Sequence, residues 1–248
     1  MNSGVKSGIA AMAGLIVIWQ LVVSLTDVPR FILPSPYLVA VSFIENFGLI
    51  AEHTLITLSE IMFGLAIGIA FGMITALLFE ISTAARFFLK PVLIFSQAIP
   101  VFALAPVLTL WLGYGMISKV TMAVLIIYFP VTSAFHDGLT RTPSGLLDLA
   151  HVMNAKPLRL LFLIKLPAAM PNLLSGIRLA AVYAPIGAVI GEWVGSSQGL
   201  GYLMLLANGR VKTDLMFAAL FTLGFLSMSL YGLISLWIKL AFRRFEAQ

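Results

Sequence analysis

The sequence predicts an all-α, polytopic membrane protein with six transmembrane helices. Of its 248 residues, 60% are hydrophobic and only 10% are charged, and the mean hydropathy is +1.05. A typical soluble domain carries about 25% charged residues. Apolar runs of about 20 residues recur along the chain, and each is long enough to cross the hydrocarbon core as a helix. We therefore treat 1–248 as one transmembrane domain in a lipid bilayer.

The first predicted crossing is 8–26. Its leader carries Lys6, but no small-residue cleavage site follows, so we interpret it as a retained anchor rather than a signal peptide. A broken, proline-rich segment comes next, and its second half, 37–50, is predicted to be an interfacial amphipathic helix. The other predicted crossings are 54–79, 92–112, 117–135, 171–193 and 215–241.

The distribution of Lys and Arg predicts the orientation. One side of this topology holds ten basic residues and the other holds four, with Arg178 set aside inside the fifth crossing. Because basic loops stay in the cytoplasm, both termini are expected to be cytoplasmic. The ten are Lys6, Arg86, Lys90, Arg141, Lys156, Arg159, Lys165, Lys239, Arg243 and Arg244, and the four are Arg30, Lys119, Arg210 and Lys212.

A half-polar stretch, "DLAHVMNAKPLRLLFLIKLPAAMP", interrupts the apolar chain between crossings four and five. Thr142–Pro143 is predicted to begin a helix, and Asn154 to end it in a left-handed conformation. A second helix is expected from Lys156–Pro157, and Leu166–Pro167 is expected to end it. The residues alone leave two interpretations open for 142–166. It is a rigid cytoplasmic helix–turn–helix that a partner can push, or an ordinary amphipathic loop on lipid headgroups.

This stretch resembles the "EAA" signature of permease subunits in bacterial ATP-binding-cassette importers. That signature is E-A-A, a glycine four residues later, and a closing I/L-x-x-P or L-P. Here Asp, Leu and Ala stand at E-A-A, Asn stands at the glycine, and Leu-Pro closes the pattern. Asp in place of Glu keeps the negative charge, Leu in place of the first Ala keeps a helix former, and Asn in place of Gly keeps a residue that tolerates a left-handed cap. The resemblance implies that the element docks on an ATPase subunit through Asp148, Leu149, Ala150, Asn154, Ala155, Pro157, Leu166 and Pro167.

The resemblance covers nearly the whole chain. "ILPSP", "TLITLSEIMFG", "SQAIPVFALAPVLTLWLGYG" and "GEWVGSSQGLGYLML" are similar to the branch that imports nitrate, sulfonates, taurine and thiamine precursors. Within it, "SQAIPVFALAP", "PIGAVIGEWVGSSQGLGYLM" and "TDLMFAAL" look most like permeases for hydroxymethylpyrimidine. This implies a type I importer-like fold in the bacterial cytoplasmic membrane. It also implies three partners: a second permease copy, an ATPase dimer that binds ATP and Mg²⁺, and an extracytoplasmic solute-binding protein.

No catalytic, metal or cofactor site is expected on this chain. It has no cysteine, its three histidines are far apart in the topology, and it has no phosphate-binding G-x-x-x-x-G-K-[ST] loop. Its basic pI of 9.6 is explained by topology rather than by nucleic-acid binding. An ion-coupled secondary transporter is disfavoured, because it needs several intramembrane ionisable groups and often inverted repeats, whereas this sequence shows one clear intramembrane acid and no convincing repeat. An intramembrane hydrolase using Ser175 is disfavoured as well, because no histidine lies within a predicted crossing to act as its base.

The third crossing is the candidate solute pathway. Pro100 and Pro106 are expected to break it, and a broken helix is tolerated in a membrane where protein or a water-filled cavity satisfies its backbone. Ser96 and Gln97 would supply neutral donors and acceptors there, which suit an uncharged polar heterocycle. The alternative is the same type of subunit for sulfonate, taurine or nitrate, and anionic solutes such as sulfonates or nitrate would favour basic groups along the path instead. Tyr183 is interpreted as a packing residue.

Two acidic residues allow both a functional and a structural interpretation. Glu60 lies within the second crossing, on one face with glycines at 64, 68 and 72. It is either a polar group beside the pathway or a hydrogen-bonded group at a close helix contact. Glu192 and Trp193 lie at the outer end of the fifth crossing. They either gate the outer mouth or anchor the helix at the interface.

Overall fold

The computed structural model describes residues 3–26 and 28–241, and the side chains from residue 10 onwards in those ranges. This part of the chain is helical, with no strand. Its helices are α1 (Ser3–Leu25), α2 (Pro36–Glu45), α3 (Phe47–Ile81), α4 (Thr83–Ser96), α5 (Val101–Leu112), α6 (Met116–Thr140), α7 (Ser144–Val152), α8 (Pro157–Leu160), a π-helical segment (Leu161–Lys165), α9 (Leu166–Gly195), α10 (Leu200–Gly209) and α11 (Thr213–Ala241).

Four helical stretches of the described chain are long and apolar enough to cross a membrane: α3, α6, the continuous 157–195 stretch and α11. The helices α4 and α5 form a further span if they are counted together, although they are bent by 104°. The all-α, polytopic membrane class is therefore confirmed. A count of six crossings also requires α1, whose described apolar part, Ala10–Leu25, is shorter than a typical span. The side chains of Lys6, Arg243 and Arg244, used in the orientation prediction, lie outside the described residues.

The predicted third crossing, 92–112, is wrong in its detail. The helix starts earlier, at Thr83, where the Ser82 hydroxyl accepts a hydrogen bond from the Ala85 N–H at 3.1 Å. It ends at Ser96, and a new helix begins after Pro100. Proline excludes its preceding residue from the helical region and has no N–H, so it separates the two helices. The predicted break at Pro106 does not occur, because α5 continues through it.

The predicted interfacial helix 37–50 is also corrected. Ser35 caps α2 by accepting from the Leu38 N–H at 3.3 Å, and Pro36 occupies the first turn, where its missing N–H costs nothing. Asn46 ends α2, because its side-chain amide donates to the Ser42 carbonyl at 2.8 Å. Phe47 then starts α3, so this crossing begins seven residues before the predicted position 54.

The core is built where α3 and α9 pack on either side of α6. A Cβ on Gly187 would lie 2.6 Å from the Ala123 Cα, and a Cβ on Gly64 would lie 2.6 Å from the Ala123 Cβ. These glycines therefore allow the three backbones to approach closely, as in other membrane helix pairs. The surrounding core consists of buried aliphatic and aromatic side chains, including Ile61, Leu65, Ile127, Val131, Phe135, Ala180, Ala184 and Ala188.

Candidate functional site

The interrupting stretch forms an exposed helical element at one end of the bundle. Its first helix begins at Ser144, with Pro143 at the N-cap position. The predicted Thr142 cap is wrong: Thr142 is buried, and its hydroxyl donates to the Leu139 carbonyl at the end of α6, at 3.1 Å. Thr142 thus fastens the element to α6 instead of capping α7.

The turn between α7 and α8 confirms the left-handed prediction. Asn154 has a φ of 51°, and its N–H donates to the His151 carbonyl at 3.0 Å. The Ala155 N–H reaches back to the Ala150 carbonyl at 2.9 Å. These two bonds form a Schellman C-cap, in which asparagine replaces the usual glycine. Pro157 then occupies the first turn of α8, as predicted.

The predicted stop at Leu166–Pro167 is wrong. The chain stays helical from Pro157 to Gly195, and the helix switches from α-helical to π-helical hydrogen bonding over Leu161–Lys165. The Leu166 N–H donates to the Leu161 carbonyl, five residues back. The wider turn comes directly before the proline, which lacks an N–H and would crowd a regular helical carbonyl. The element therefore runs into α9 without a hinge loop.

The outer surface of the element is apolar with charges beside it. Val152 is 86% exposed and Met153 is 72% exposed, next to the exposed Leu149. Asp148 is also exposed. A contiguous exposed apolar patch on a helical element is typical of a protein-binding surface. Four of the predicted docking residues are exposed at the surface: Asp148, Leu149, Asn154 and Pro157. Three others are half-buried, namely Ala155, Leu166 and Pro167, and Ala150 is buried.

A groove of about 660 Å³ lies beside the bend between α4 and α5. Gln97 at the bend lines it, and its side-chain amide donates to the Ser96 hydroxyl at 3.2 Å. The Ser96 hydroxyl in turn donates to the Leu93 carbonyl at 2.7 Å, so it is already engaged within its own helix. Pro100 is exposed at the bend. The rest of the groove wall comes from the start of α5 and from α6 and α9, and it consists of Val101, Ile126, Phe129, Pro130, Ser133, Ala134, Asp137, Leu179, Tyr183 and Ile186.

Two polar residues of the groove, Ser133 and Asp137, were not predicted from the sequence, and a third, Tyr183, was predicted to have another role. Ser133 and Asp137 are four residues apart in α6 and therefore share one helix face, which was a readable signal. Tyr183, interpreted as a packing residue, lines the groove from α9. By contrast, the Tyr128 hydroxyl donates to Thr75 on α3 at 2.9 Å and packs inside the bundle.

At the other end of the bundle, a buried polar cluster holds the start of α10. The Glu192 carboxylate, 1% exposed, accepts from the Thr57 hydroxyl at 2.6 Å and from the Gly201 and Tyr202 N–H groups at 2.5 and 3.3 Å. The Thr57 oxygen also accepts from the Leu200 N–H at 2.8 Å, and His53 Nδ1 accepts from the Gly199 N–H at 2.9 Å.

These acceptors satisfy all four N–H groups that the start of an α-helix leaves without partners. The carboxylate also lies at the positive end of the α10 dipole, where a negative charge is stabilised. A side chain at Gly199, which has a φ of 109°, would collide with this carboxylate. The cluster therefore fixes α10 to α3 and α9.

Glu60 is completely buried beside this cluster. Its carboxylate pairs with the Lys119 ammonium at 2.5 Å, and Lys119 also donates to the Ser196 hydroxyl at 3.0 Å. The structure thus brings Glu60 and Glu192 together and away from the groove beside α4 and α5, whereas Trp193 points outward and is 48% exposed. Lys119 was not predicted as a partner of Glu60, because the predicted topology places it in an outer loop. Among the described residues, no group of three or more His, Asp or Glu residues could hold a metal ion.

Long apolar helices, a bent span beside a groove and an exposed helical element at one end define a multi-pass membrane transport protein. The chain belongs to the family described as "Binding-protein-dependent transport system inner membrane component", which matches residues 68–246. It is 55% identical to a probable ABC transporter permease protein of Haemophilus influenzae, over 88% of this chain and 89% of that protein.

Two further relatives carry solute names. The riboflavin transport system permease protein RibX of Chloroflexus aurantiacus is 38% identical over 92% of this chain and 86% of its own. The formylaminopyrimidine transport permease protein ThiX of Halalkalibacterium halodurans is 35% identical over 86% of both chains. In fold, the chain is similar to the MetNI methionine ABC transporter in inward-facing conformations. That match has a TM-score of 0.58 and 17% identity, and it covers 83% of this chain and 97% of the other.

The family membership confirms the prediction of a non-catalytic permease subunit of an ATP-binding-cassette importer for small solutes. It decides against the ion-coupled secondary transporter and the intramembrane hydrolase. The chain is a multi-pass protein of the inner membrane.

Proposed function

We propose that this permease imports a neutral, planar nitrogen heterocycle, with hydroxymethylpyrimidine or a related thiamine precursor as the best candidate. The observation that carries this proposal is the groove beside the bend. Its polar groups are Gln97, Ser133, Tyr183 and Asp137, set in an apolar and aromatic wall. Ligand sites commonly combine an apolar wall with a few polar groups that fix orientation.

The charge of the groove favours a neutral solute over an anionic one. Asp137 is the charged residue of its lining, and none of the lining residues is basic. An alkyl sulfonate or nitrate would lose its hydration without gaining a cationic partner there, which is costly, and the sulfonate end of zwitterionic taurine meets the same penalty. The relatives at 38% and 35% identity, named for riboflavin and formylaminopyrimidine, are consistent with a heterocyclic solute.

An uptake assay tests the substrate class. The permease is reconstituted in proteoliposomes with its ATPase and its solute-binding protein, and entry of labelled hydroxymethylpyrimidine, formylaminopyrimidine, riboflavin and taurine is measured. We expect ATP-dependent entry of at least one pyrimidine and none of taurine. Gln97→Leu is expected to lower pyrimidine uptake about tenfold, since a lost hydrogen bond to a bound solute costs about 1.4 kcal/mol.

Gln20→Leu is the matched control, because Gln20 is an exposed residue of α1 whose side-chain amide donates to Ser24 of its own helix. Taurine entry without pyrimidine entry would contradict the proposal.

We further propose that the element 142–166, with its exposed Asp148 and Val152, docks on the cytoplasmic ATPase, which would bind ATP and Mg²⁺. Two permease copies would form the pathway, and a solute-binding protein would deliver solute at the end that carries α10. Both chain termini would then be cytoplasmic. Support comes from the rigid Schellman turn and the apolar tip of the element, together with the basic Lys156 and Arg159 beside it.

Co-purification tests the docking surface. A charge placed in the apolar tip by Val152→Asp, or a reversed charge by Asp148→Lys, is expected to weaken ATPase retention about tenfold or more, because an unpaired charge buried at an interface costs about 2–5 kcal/mol. Val211→Asp is the control: Val211 is 62% exposed but lies between α10 and α11. If both docking variants retain the ATPase as well as the wild type does, this surface is not the docking site.

A further inference from the structure

An ion pair joins the docking element to α3. Lys165 is the last residue of the π-helical segment, and Glu80 is the penultimate residue of α3. The Lys165 ammonium lies 2.5 Å from a Glu80 carboxylate oxygen. The two side chains are only 19% and 14% exposed, so solvent screens the pair less than it would a surface pair.

The side chains between the end of α3 and α8 are not closely packed. A cavity of about 240 Å³ separates the end of α3 from α8, and both partners of the ion pair line it, together with Ile81, Pro157, Leu158, Leu160 and Leu161. The ion pair therefore crosses a gap between α8 and the end of α3, next to Leu161, which packs in the shared core.

The π-helical turn lies directly beside this bridge. Leu161 at its start is buried in the core that α3, α6 and α9 share, whereas Lys165 at its end faces Glu80. Single π-helical turns are uncommon and concentrate at functional places in helices. A push on α7 and α8 passes directly into α9, because the helix is continuous from 157 to 195.

We propose that Lys165 and Glu80 are positioning residues of the transport cycle, which make α3 follow the docking element as α9 does. This inference rests on the proposed docking of 142–166 on the ATPase. Without the ion pair, a docked ATPase still moves α9, but the end of α3 beside the cavity follows it less closely. ATP hydrolysis then continues while the solute pathway opens incompletely.

The experiment compares Lys165→Glu, Glu80→Lys and the double charge swap with the wild type, in the complete complex in proteoliposomes. Three quantities are measured: retained ATPase, ATP hydrolysis rate and solute molecules imported per ATP. We expect each single variant to retain the ATPase and to hydrolyse ATP within about twofold of the wild type. Import per ATP is expected to fall about tenfold, and the swap to restore at least half of it.

Lys165→Arg keeps the positive charge and is expected to keep the wild-type import per ATP. This control distinguishes loss of the ion pair from a general effect of substitution at position 165. Should a charge-reversal variant fail to fold, Lys165→Met is the substitute, and it is expected to lower the ratio in the same way. An unchanged ratio in the single variants, or a swap that restores nothing, overturns the inference. A wild-type chain that retains no ATPase would instead contradict the docking proposal, so the two failures are distinguishable.

Discussion

Replacing Glu192 with alanine is expected to lower the free energy of unfolding by about 3 kcal/mol or more. The change removes the acceptor of three buried donors: the Thr57 hydroxyl and the N–H groups of Gly201 and Tyr202. A buried donor without a partner costs about 1–3 kcal/mol. The α10 helix also loses the negative charge at its N-terminus, worth a further fraction of a kcal/mol to about 2 kcal/mol.

Denaturant unfolding in detergent micelles measures this effect. Glu192→Gln keeps one acceptor oxygen and the shape of the side chain, so it is expected to lose clearly less stability than alanine. Trp193→Ala is the neighbouring control, because Trp193 is half exposed and belongs to no hydrogen bond of the cluster. If Glu192→Ala unfolds within about 0.5 kcal/mol of the wild type, the cluster does not hold α10.

The sequence predicted the long elements well because membrane insertion imposes a simple requirement on them. A helix that crosses hydrocarbon must be apolar over about 20 residues, and this length is visible without any knowledge of packing. Asn154 was predictable for a similar local reason, since few residues other than glycine tolerate a positive φ.

The errors fall where packing overrides a local signal. Proline was expected to break helices at Pro100, Pro106 and Pro167, yet only Pro100 does so. Before Pro167 a π-helical turn accommodates the proline, and Leu161 at the start of that turn is buried in the core. Thr142 was a sound N-cap candidate by type, but its hydroxyl donates to the Leu139 carbonyl of α6 instead of accepting an N–H of α7.

The sequence indicates which single polar residues are unusual, but it does not indicate which of them come together in the folded protein. Glu60 and Glu192 stood out because ionisable groups inside a membrane need partners. Lys119, the partner of Glu60, lies at the start of α6 and reaches that carboxylate because α3, α6 and α9 converge there. Which face of α6 meets the bend of α4 and α5, and hence the groove role of Ser133, likewise follows from tertiary packing.

Replacing Lys119 with methionine is expected to be the other severe change, costing about 3–5 kcal/mol of stability. Methionine fills a similar volume, but it leaves the completely buried Glu60 carboxylate without its ammonium partner at 2.5 Å. Breaking a buried ion pair from one side costs this much because the remaining charge is neither hydrated nor paired. The exposed Lys212 provides the control, and Lys212→Met is expected to stay within about 0.5 kcal/mol of the wild type.

The double variant Glu60→Leu with Lys119→Met decides what the ion pair does. Replacing both charges with apolar groups of similar size is often neutral or stabilising, because neither group then has to be desolvated. We expect the double variant to unfold within about 1–2 kcal/mol of the wild type, which gives a large coupling energy in the mutant cycle. If the double variant loses as much stability as Lys119→Met alone, the stabilisation comes instead from the hydrogen bond that Lys119 donates to the Ser196 hydroxyl, which both variants lack. If stability returns while solute import does not, the charges serve transport and not folding, because the same three helices then pack without them.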